Sequence, residues 1–159
     1  IQYLKFRKVK IEIAKQYCKE IYYKLEDKNY FTIAFENNSK GYETRNKYFK
    51  GSIGNKDITL IKNGANRVSV FEGFIDFLTH LSYRNELNED YLILNSTSFL
   101  NKCITFLNNY ELVISYLDND EAGKKATQMI KENCKNKFED RSVLYKNHKD
   151  LNEFKMNNP

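Results

Sequence analysis

The chain has 159 residues, a hydrophobic content of 41% and a formal net charge of +5. This length suits one well-packed domain or a core with a small appendage, and the absence of any apolar run near about 18 residues or of a signal-peptide pattern excludes a membrane protein and favours a cytoplasmic one. The three cysteines, Cys18, Cys103 and Cys134, contain no C-x-x-C pair, which argues against a disulfide framework and a zinc site.

The first part of the chain predicts a helix followed by an antiparallel meander. Apolar residues over 11–19 recur at helical spacing and predict a short amphipathic helix. Residues 20–46 change to a period of two, broken by turn residues, and predict a β-hairpin whose third strand returns at 42–46. Residues 47–66 are predicted to be a loop-rich connection with a short strand at 58–61.

From Arg67 the pattern alternates between strands and helices. The predicted strands are 67–71, 91–94, 111–117 and 142–146, and the predicted helices are 74–84, 99–109 and 121–134. Strands separated by helical segments of this length indicate an α/β fold with a parallel sheet flanked by helices. We therefore expect two parts, a small N-terminal α+β subdomain over 1–66 and an α/β domain over 67–159.

Two of these strands end in carboxylates. Glu72 follows the first strand and precedes Gly73, whose missing side chain is expected to permit a tight turn, and Asp76 lies one helical turn on. Asp118 and Asp120 follow the third strand at a spacing that lets both face one way. Parallel strands deliver such acids to one sheet edge, where a divalent cation relieves their repulsion. The pattern predicts a Mg²⁺ site, with Mn²⁺ as the alternative ion, although Asp76 alone is equally explained by the helix dipole.

The charge is unevenly distributed along the chain. Residues 1–67 carry fifteen Lys/Arg and seven Asp/Glu, residues 68–122 carry two and nine, and residues 123–159 carry nine and five. An acidic centre between basic flanks suits a metal site in a surface that attracts phosphates. Lys124, just after the acidic pair, is a candidate phosphate contact, although any single exposed lysine is better explained by solubility.

Residues 67–153 resemble a Toprim domain, the catalytic fold shared by bacterial-type primases, topoisomerases and several nucleases. Glu72-Gly-Phe-Ile-Asp76 matches the glutamate motif of this family, and Asp118-Asn-Asp120 matches its D-x-D motif. The resemblance implies a metal-dependent phosphodiester site with Glu72, Asp118 and Asp120 as its catalytic centre.

Further matches indicate the primase branch of the family. The stretch Lys149–Glu153 is similar to the segment that closes this domain in primases, which implies Asp150 as an additional metal ligand, although Leu151 and Asn152 replace the usual proline and second acid. The loop 95–98 corresponds to a small-residue loop beside the site, and a helix N-cap explains it equally well.

The upstream part resembles the meander that precedes Toprim in primase cores, where basic side chains face the template. This resemblance implies a template contact for Arg45. Composition adds Lys47, Lys50 and Arg67 as candidate phosphate contacts.

We therefore expect primase-like nucleotidyl transfer on a single-stranded DNA template, using nucleoside triphosphates in DNA replication. The compact primases of plasmids and mobilisable elements are the expected branch. Because the chain begins at Ile1, either residues were removed or the piece comes from a longer protein, whose expected partners are an upstream zinc-binding module and a helicase or relaxase. Two alternatives stay open: a Toprim-type nuclease or strand-cleaving enzyme, and a non-catalytic single-stranded nucleic-acid-binding module.

Overall fold

A computed structural model describes residues 1–84, 88–134 and 137–158. The helices are α1 Gln2–Phe6, α2 Ile11–Tyr17, α3 Phe74–Tyr83, α4 Leu100–Leu107, α5 Glu121–Asn133 and α6 Leu151–Asn157. The strands are β1 Cys18–Leu25, β2 Lys28–Glu36, β3 Tyr42–Arg45, β4 Lys50–Ile53, β5 Thr59–Ile61, β6 Arg67–Phe71, β7 Asp90–Ile93, β8 Leu112–Tyr116 and β9 Lys137–Asp140. Two 3₁₀ turns lie at Thr97–Phe99 and Ser142–Tyr145.

A five-stranded sheet forms the centre of the molecule, in the order β5-β7-β6-β8-β9. The strands β7, β6, β8 and β9 run parallel, and β5 joins the β7 edge antiparallel. Central parallel strands are covered on both faces, which explains why Val68, Val70 and Phe71 are fully buried. The predicted α/β class, with a helix-flanked parallel sheet after an antiparallel meander, is confirmed.

Side chains that alternate along the central strands supply two separate cores. Val68 and Val70 face α4 and α5 and belong to a core that includes Leu107 and Ile130. Phe71 faces the opposite side, where α3, α6 and the N-terminal part of the chain pack. Both faces of the sheet are therefore covered by packed elements.

The N-terminal strands form a separate antiparallel sheet in the order β1-β2-β3-β4. Ile33 and Phe35 of β2 belong to the same buried cluster as α3, and the Phe35 ring stacks on Phe74 with 5.2 Å between ring centroids. This shared core places β3 and β4 beside the first turn of α3. The proposed boundary between residues 66 and 67 stays a prediction. β5, which precedes the boundary, pairs with β7, which follows it. Positions 85–87, 135–136 and 159 of the second part lie outside the described residues.

The strand predicted at 142–146 is wrong, because Ser142–Tyr145 forms a 3₁₀ turn and the last strand is Lys137–Asp140. Val143 and Leu144 are 61% and 55% exposed, so these apolar residues do not form a strand's buried face. The strand β9 is a sheet edge paired with β8 alone, and an edge tolerates the charged sequence Lys-Phe-Glu-Asp that the pattern assigned to a loop.

The remaining differences concern short elements. The connection 47–66, whose glycines and lysines indicated a loop, contains β4, which pairs with β3 as an edge strand. The strand predicted at 58–61 is confirmed as β5, while α1 and α6 were not predicted. Cys18, Cys103 and Cys134 are free thiols, and no helix in the described ranges is long and apolar enough to cross a membrane.

Candidate metal centre

The predicted acids leave the sheet from two neighbouring strands. β6 and β8 are parallel partners whose last pair is Phe71 with Tyr116, and the two rings stack at 5.2 Å between centroids. Glu72 follows Phe71 directly, and Asp118 lies two residues beyond Tyr116. The register of the strands therefore brings both carboxylates to the same carboxyl edge, as the sequence predicts.

The loop that carries the acidic pair is held by the first turn of α5. Asp120 is the N-cap of that helix, and its Oδ1 accepts a hydrogen bond from the Gly123 amide at 3.0 Å. A Cβ at Gly123 would lie 2.1 Å from the carbonyl oxygen of Asp118, so glycine is required for this close approach. Gly73 differs from expectation, because it has extended backbone dihedrals and a Cβ there would meet no described atom within 4 Å.

Asn119, the middle residue of the D-x-D motif, forms hydrogen bonds to the segment 145–149, which forms another side of the site. Its amide nitrogen Nδ2 donates to the carbonyl oxygens of Tyr145 at 2.8 Å and His148 at 3.0 Å. Its backbone N–H donates to the carbonyl oxygen of Lys149 at 2.7 Å. These bonds hold the segment that carries Lys149 and Asp150 against the acidic loop.

The acids are poorly neutralised where they meet. Burial, reinforced by the carboxylates of Glu72 and Asp150, raises the pKa of Asp118 to about 7. Burial and then the charge of Asp120 raise the pKa of Glu72, whose buried Oε2 has no hydrogen-bond partner among the described residues. A carboxylate without a donor beside like charges costs free energy that a cation can recover.

The two further predicted ligands have structural contacts of their own. Asp76 is 6% exposed, and its Oδ1 accepts a hydrogen bond from the backbone N–H of Asn152 at 2.9 Å. Burial, followed by the charges of Asp150 and Asp118, raises the pKa of Asp76 well above its ordinary value. Asp150 is the N-cap of α6 and accepts from the Glu153 amide at 2.7 Å. Both border the cleft, and their metal role stays a prediction.

A lysine stands where a cation is expected. Lys149 Nζ lies 3.9 Å from Asp118 Oδ2 and 3.9 Å from Asp120 Oδ2. Within residues 1–84, 88–134 and 137–158, no three Asp, Glu, His or Cys side chains are already arranged as a metal-binding group. The donor chemistry nevertheless fits Mg²⁺, because Glu72 and Asp118 offer carboxylate oxygens with little compensation and Mg²⁺ needs only a few such ligands besides water and phosphate.

The N-terminal sheet forms the other wall of a cleft of about 90 Å³ over these acids. Arg45 of β3 and Lys50 of β4 border it, and their role as phosphate contacts stays a prediction; Arg45 Nε donates to the Tyr3 hydroxyl at 3.2 Å. Two further bordering residues were not predicted, Arg7 and Glu43. Arg7 Nε and Glu43 Oε1 are buried without hydrogen-bond partners in the described chain, so the cleft combines unpaired donors and acceptors.

Three predicted phosphate contacts lie away from this cleft. Lys47 is exposed in the turn between β3 and β4, with its Nζ 5.5 Å from the centroid of the Tyr48 ring. Arg67 begins β6 and therefore lies at the opposite end of that strand from Glu72. Lys124 is exposed in the first turn of α5 beyond Asp120. Their roles stay predictions.

The loop 95–98 has both of its expected features. It borders the cleft through Asn95, and Ser96 caps the 3₁₀ turn by accepting from the Ser98 amide at 3.4 Å. Asn95 has a left-handed φ of 60° and its Nδ2 donates to the carbonyl oxygen of Asp57 at 2.8 Å. Its buried Oδ1 has no partner among the described residues, so it is an unpaired acceptor beside the cleft.

Sequence reasoning missed the residues that connect distant segments. Asn152 Nδ2 donates to the Arg7 carbonyl oxygen and to Thr79 Oγ1, both at 2.7 Å, and thereby joins α6, α3 and the N-terminal segment. The sequence marked Asn152 only as a departure from the primase pattern. Contacts of this kind have no local signature, because their partners are 145 and 73 residues away.

Comparisons with known proteins agree with this architecture. The Toprim-like family matches residues 69–155, and a domain of unknown function (DUF8464) matches residues 1–54. The primase fragment of the bacteriophage T7 primase-helicase protein is similar, with 20% identity and a TM-score of 0.70, over 97% of this chain and 68% of that one.

A second similar chain comes from a structure of the bacteriophage T7 lagging-strand DNA polymerase interacting with primase domains of two gp4 subunits bound to an RNA/DNA hybrid and dTTP. It has 20% identity and a TM-score of 0.71, over 97% of this chain and 84% of that one. A comparison with curated proteins found no match. At this identity the structural likeness concerns the fold. Residues 69–155 make up more than half of the chain, so the chain belongs to the Toprim-like family.

Proposed function

We propose that this chain is the catalytic part of a primase-type nucleotidyltransferase that acts on a single-stranded DNA template with nucleoside triphosphates. The observation that carries the proposal is the composition of the cleft. Carboxylates from the Toprim-like sheet face Arg45 and Lys50 from the N-terminal sheet across one space. A site that holds both metal ligands and phosphate-attracting cations suits a reaction between polyphosphates and a nucleic acid.

The fold comparison supports the same choice within the Toprim-like family. The similarity to the T7 primase fragment extends over 97% of this chain, so it includes the N-terminal sheet as well as the family domain. The N-terminal sheet supplies the basic wall of the cleft. The likeness of the N-terminal sheet to that of a primase fragment favours synthesis over cleavage, whereas a basic wall would suit either reaction.

The residues present assign roles within this reaction. Glu72, Asp118 and Asp120 would hold Mg²⁺, or Mn²⁺ in its place, with Asp76 and Asp150 supporting them. The ion, when bound, neutralises the charge of the transferring phosphates. Lys149, within 3.9 Å of both aspartates, would then be free to contact a phosphate. Glu72, whose pKa is raised by burial, is suited to accept the proton of the attacking 3′-hydroxyl when it is not a ligand.

The wider setting of the proposal follows the predicted branch. We place the chain among the compact replication primases of plasmids and mobilisable elements, which act in the cytoplasm. In such a protein an upstream zinc-binding module selects the template, and a helicase or relaxase delivers it.

The proposal is tested by incubating the protein with single-stranded DNA, labelled NTPs or dNTPs, and Mg²⁺ or Mn²⁺. We expect template-dependent products that disappear with chelator, and a loss of at least about 100-fold in Asp118→Asn, because a metal ligand is removed. Asp27→Asn, which changes an exposed carboxylate in the β1–β2 turn, is the matched control and keeps full activity.

The other outcomes distinguish the alternatives. Shortened DNA strands without synthesis, lost in the same Asp118 variant, would indicate a Toprim nuclease. Binding of single-stranded DNA that neither chelator nor Asp118→Asn affects, with no turnover under any condition, would indicate a non-catalytic binding module.

A further inference from the structure

A second cleft, of about 210 Å³, lies on the α3 face of the sheet and away from the acids. It is bordered by the last turn of α3, by α6 and by the turn that follows β9. α3 begins at the catalytic cleft with Phe74 and Asp76 and ends at this one with Tyr83. Tyr83 follows Asp76 by seven positions of helix, a rise of about 10 Å, and Thr79, at the near border of this cleft, follows it by three. We call this space the α3–α6 cleft.

One side of the α3–α6 cleft is cationic. Arg84, Arg141 and Lys155 border it, and no acidic side chain is among the described residues that do. Arg84 is paired with Glu89 and Arg141 with Glu139, so both guanidinium groups are held in place from behind. Their side chains remain 42% and 39% exposed. A guanidinium has five N–H donors, which one carboxylate cannot use fully, so each can also bind an anion.

One of these donors is already short of a partner. Arg141 Nε is buried and has no hydrogen-bond partner among residues 1–84, 88–134 and 137–158. A buried N–H without an acceptor is unfavourable, and an incoming oxygen ligand removes that cost. The cleft therefore favours a ligand with several acceptor oxygens.

The other side of the cleft is aromatic. Tyr83 and Phe154 border it, and Lys155 Nζ lies 4.7 Å from the centroid of the Tyr83 ring and 5.5 Å from that of Phe154. A planar heterocycle stacks on these rings once the Lys155 ammonium, which is carried on a flexible side chain, moves off their faces. The ligand that suits the cleft is therefore anionic at one end and flat and apolar at the other.

The floor of the cleft is preformed. His80 is 5% exposed and packs edge-on against Tyr116, with 4.9 Å between ring centroids. Behind it, Glu89 accepts a hydrogen bond from Ser69 Oγ at 2.5 Å and pairs with Arg84. Because this network fixes Arg84 before any ligand arrives, little ordering cost accompanies binding.

We propose that the α3–α6 cleft binds a nucleoside phosphate, with the phosphate between Arg84 and Arg141 and the base on Tyr83 and Phe154. This site is separate from the catalytic cleft and independent of its metal. A phosphate matches the two arginine forks, and a base matches the aromatic wall. An acidic peptide fits less well, because a small cleft cannot hold an extended chain with side chains on both sides.

The proposal is tested by titrating ADP into the protein in the presence of EDTA, with calorimetric detection. The chelator removes the metal-dependent site, and Asp118→Asn is expected to bind ADP as the unaltered protein does. Arg141→Gln is expected to weaken binding at least about tenfold, since it removes a charge-assisted contact to the phosphate, and Lys155→Glu is expected to weaken it as much because it places a negative charge beside the bound anion. Lys131→Gln, on the exposed side of α5, removes one positive charge elsewhere and is expected to leave the affinity unchanged.

Two further arms distinguish the parts of the ligand. Adenosine and orthophosphate are each expected to bind more weakly than ADP, because each occupies one side of the cleft. Orthophosphate binding as tight as that of ADP would overturn the nucleoside assignment. No ADP binding in EDTA, or equal affinity in Arg141→Gln, Lys155→Glu and the unaltered protein, would overturn the site. Thermal melts of all variants establish that they are folded.

Discussion

Glu89 and Asp118 are both largely buried carboxylates at the ends of two parallel strands, β7 and β8, that flank β6 in the same sheet, yet their surroundings shift their pKa values in opposite directions. Glu89 lies at the amino end, just before β7, and Asp118 lies at the carboxyl end, just after β8. Burial alone would raise the pKa of Glu89, but His80, Ser69 and Arg84 lower it to about 2. Burial raises the pKa of Asp118 to about 7, and Glu72 and Asp150 act in the same direction.

This contrast separates a structural acid from a functional one. Glu89 has its partners within the fold, so its charge contributes to stability. Asp118 has acids for neighbours and Lys149 at 3.9 Å, so its charge costs stability until something outside the fold compensates it. Burial is nearly the same for both side chains, at 3% and 13% exposed, and therefore does not decide the difference. The partners do.

The largest expected effect comes from removing the charge of Glu89, whose partners lie within the fold. Glu89→Gln removes a buried charge that holds Arg84 and is expected to lower the free energy of unfolding by about 3 kcal/mol. Glu139→Gln is the matched control, because Glu139 also pairs with an arginine but both side chains are about a third exposed. We expect a loss below about 1 kcal/mol there. Urea unfolding at pH 7 measures both, and equal losses would contradict the comparison.

The same pair predicts an acid-dependent difference. The folded-state pKa of Glu89 is about 2, below its unfolded value of about 4.3, so its stabilising contribution is present above about pH 4.3. That contribution is lost as the pH falls towards 2. The gap in stability between the unaltered protein and Glu89→Gln should therefore narrow over this window.

A gain of stability is expected when the charge of Asp118 is removed. The folded-state pKa of Asp118 is about 7, above its unfolded value of about 3.9, so its ionisation penalises the folded state increasingly as the pH rises from 4 to 7. Asp118→Asn removes the penalty and is expected to stabilise the metal-free protein by roughly 2 kcal/mol at pH 8. At pH 4 the two proteins should be nearly equal. Urea unfolding in EDTA tests this, and a destabilised variant at pH 8 would contradict it.

The smallest expected effect is stabilisation by the proposed metal. Mg²⁺ at ten times its dissociation constant is expected to stabilise the protein by about 1.4 kcal/mol at pH 8. The shift should be smaller at pH 5.5, where Asp118 is mostly protonated, because protons compete with the ion. Thermal melts with and without Mg²⁺ measure it. An equal shift in Asp118→Asn would show that the ion binds elsewhere.

The sequence predicts the position of Asp118, whose charge is poorly compensated, far better than that of Glu89, whose partners lie within the fold. Glu72 and Asp118 are recognisable because each directly follows a buried strand, and parallel strands must deliver them to one edge. Glu89 has no such signal, since its partner Ser69 is 20 residues away on another strand.

Other parts of the cleft were hidden for related reasons. Arg7 and Glu43 border the catalytic cleft because the segment around Arg7 and the N-terminal sheet both pack on the core that contains α3, and a single sequence does not encode that docking in any local pattern. The misplaced last strand has a different cause. Its charged edge sequence gives no alternation, whereas the following turn contains the exposed Val143 and Leu144.

The hydrogen bonds of Asn152 join it to residues that are synthesised much earlier. Asn152 lies 76 positions after Asp76 and 145 positions after Arg7, so the hydrogen bonds to these two residues form only once Asn152 has been synthesised. Lys149 and Asp150 are synthesised just before it. Domains assemble from the amino end as the ribosome proceeds, so the sheet and its first acids can form while this wall is still absent. Asp150, one of the acids that raise the pKa of Asp118, is therefore added only after the central strands and helices that must withstand its charge have been made.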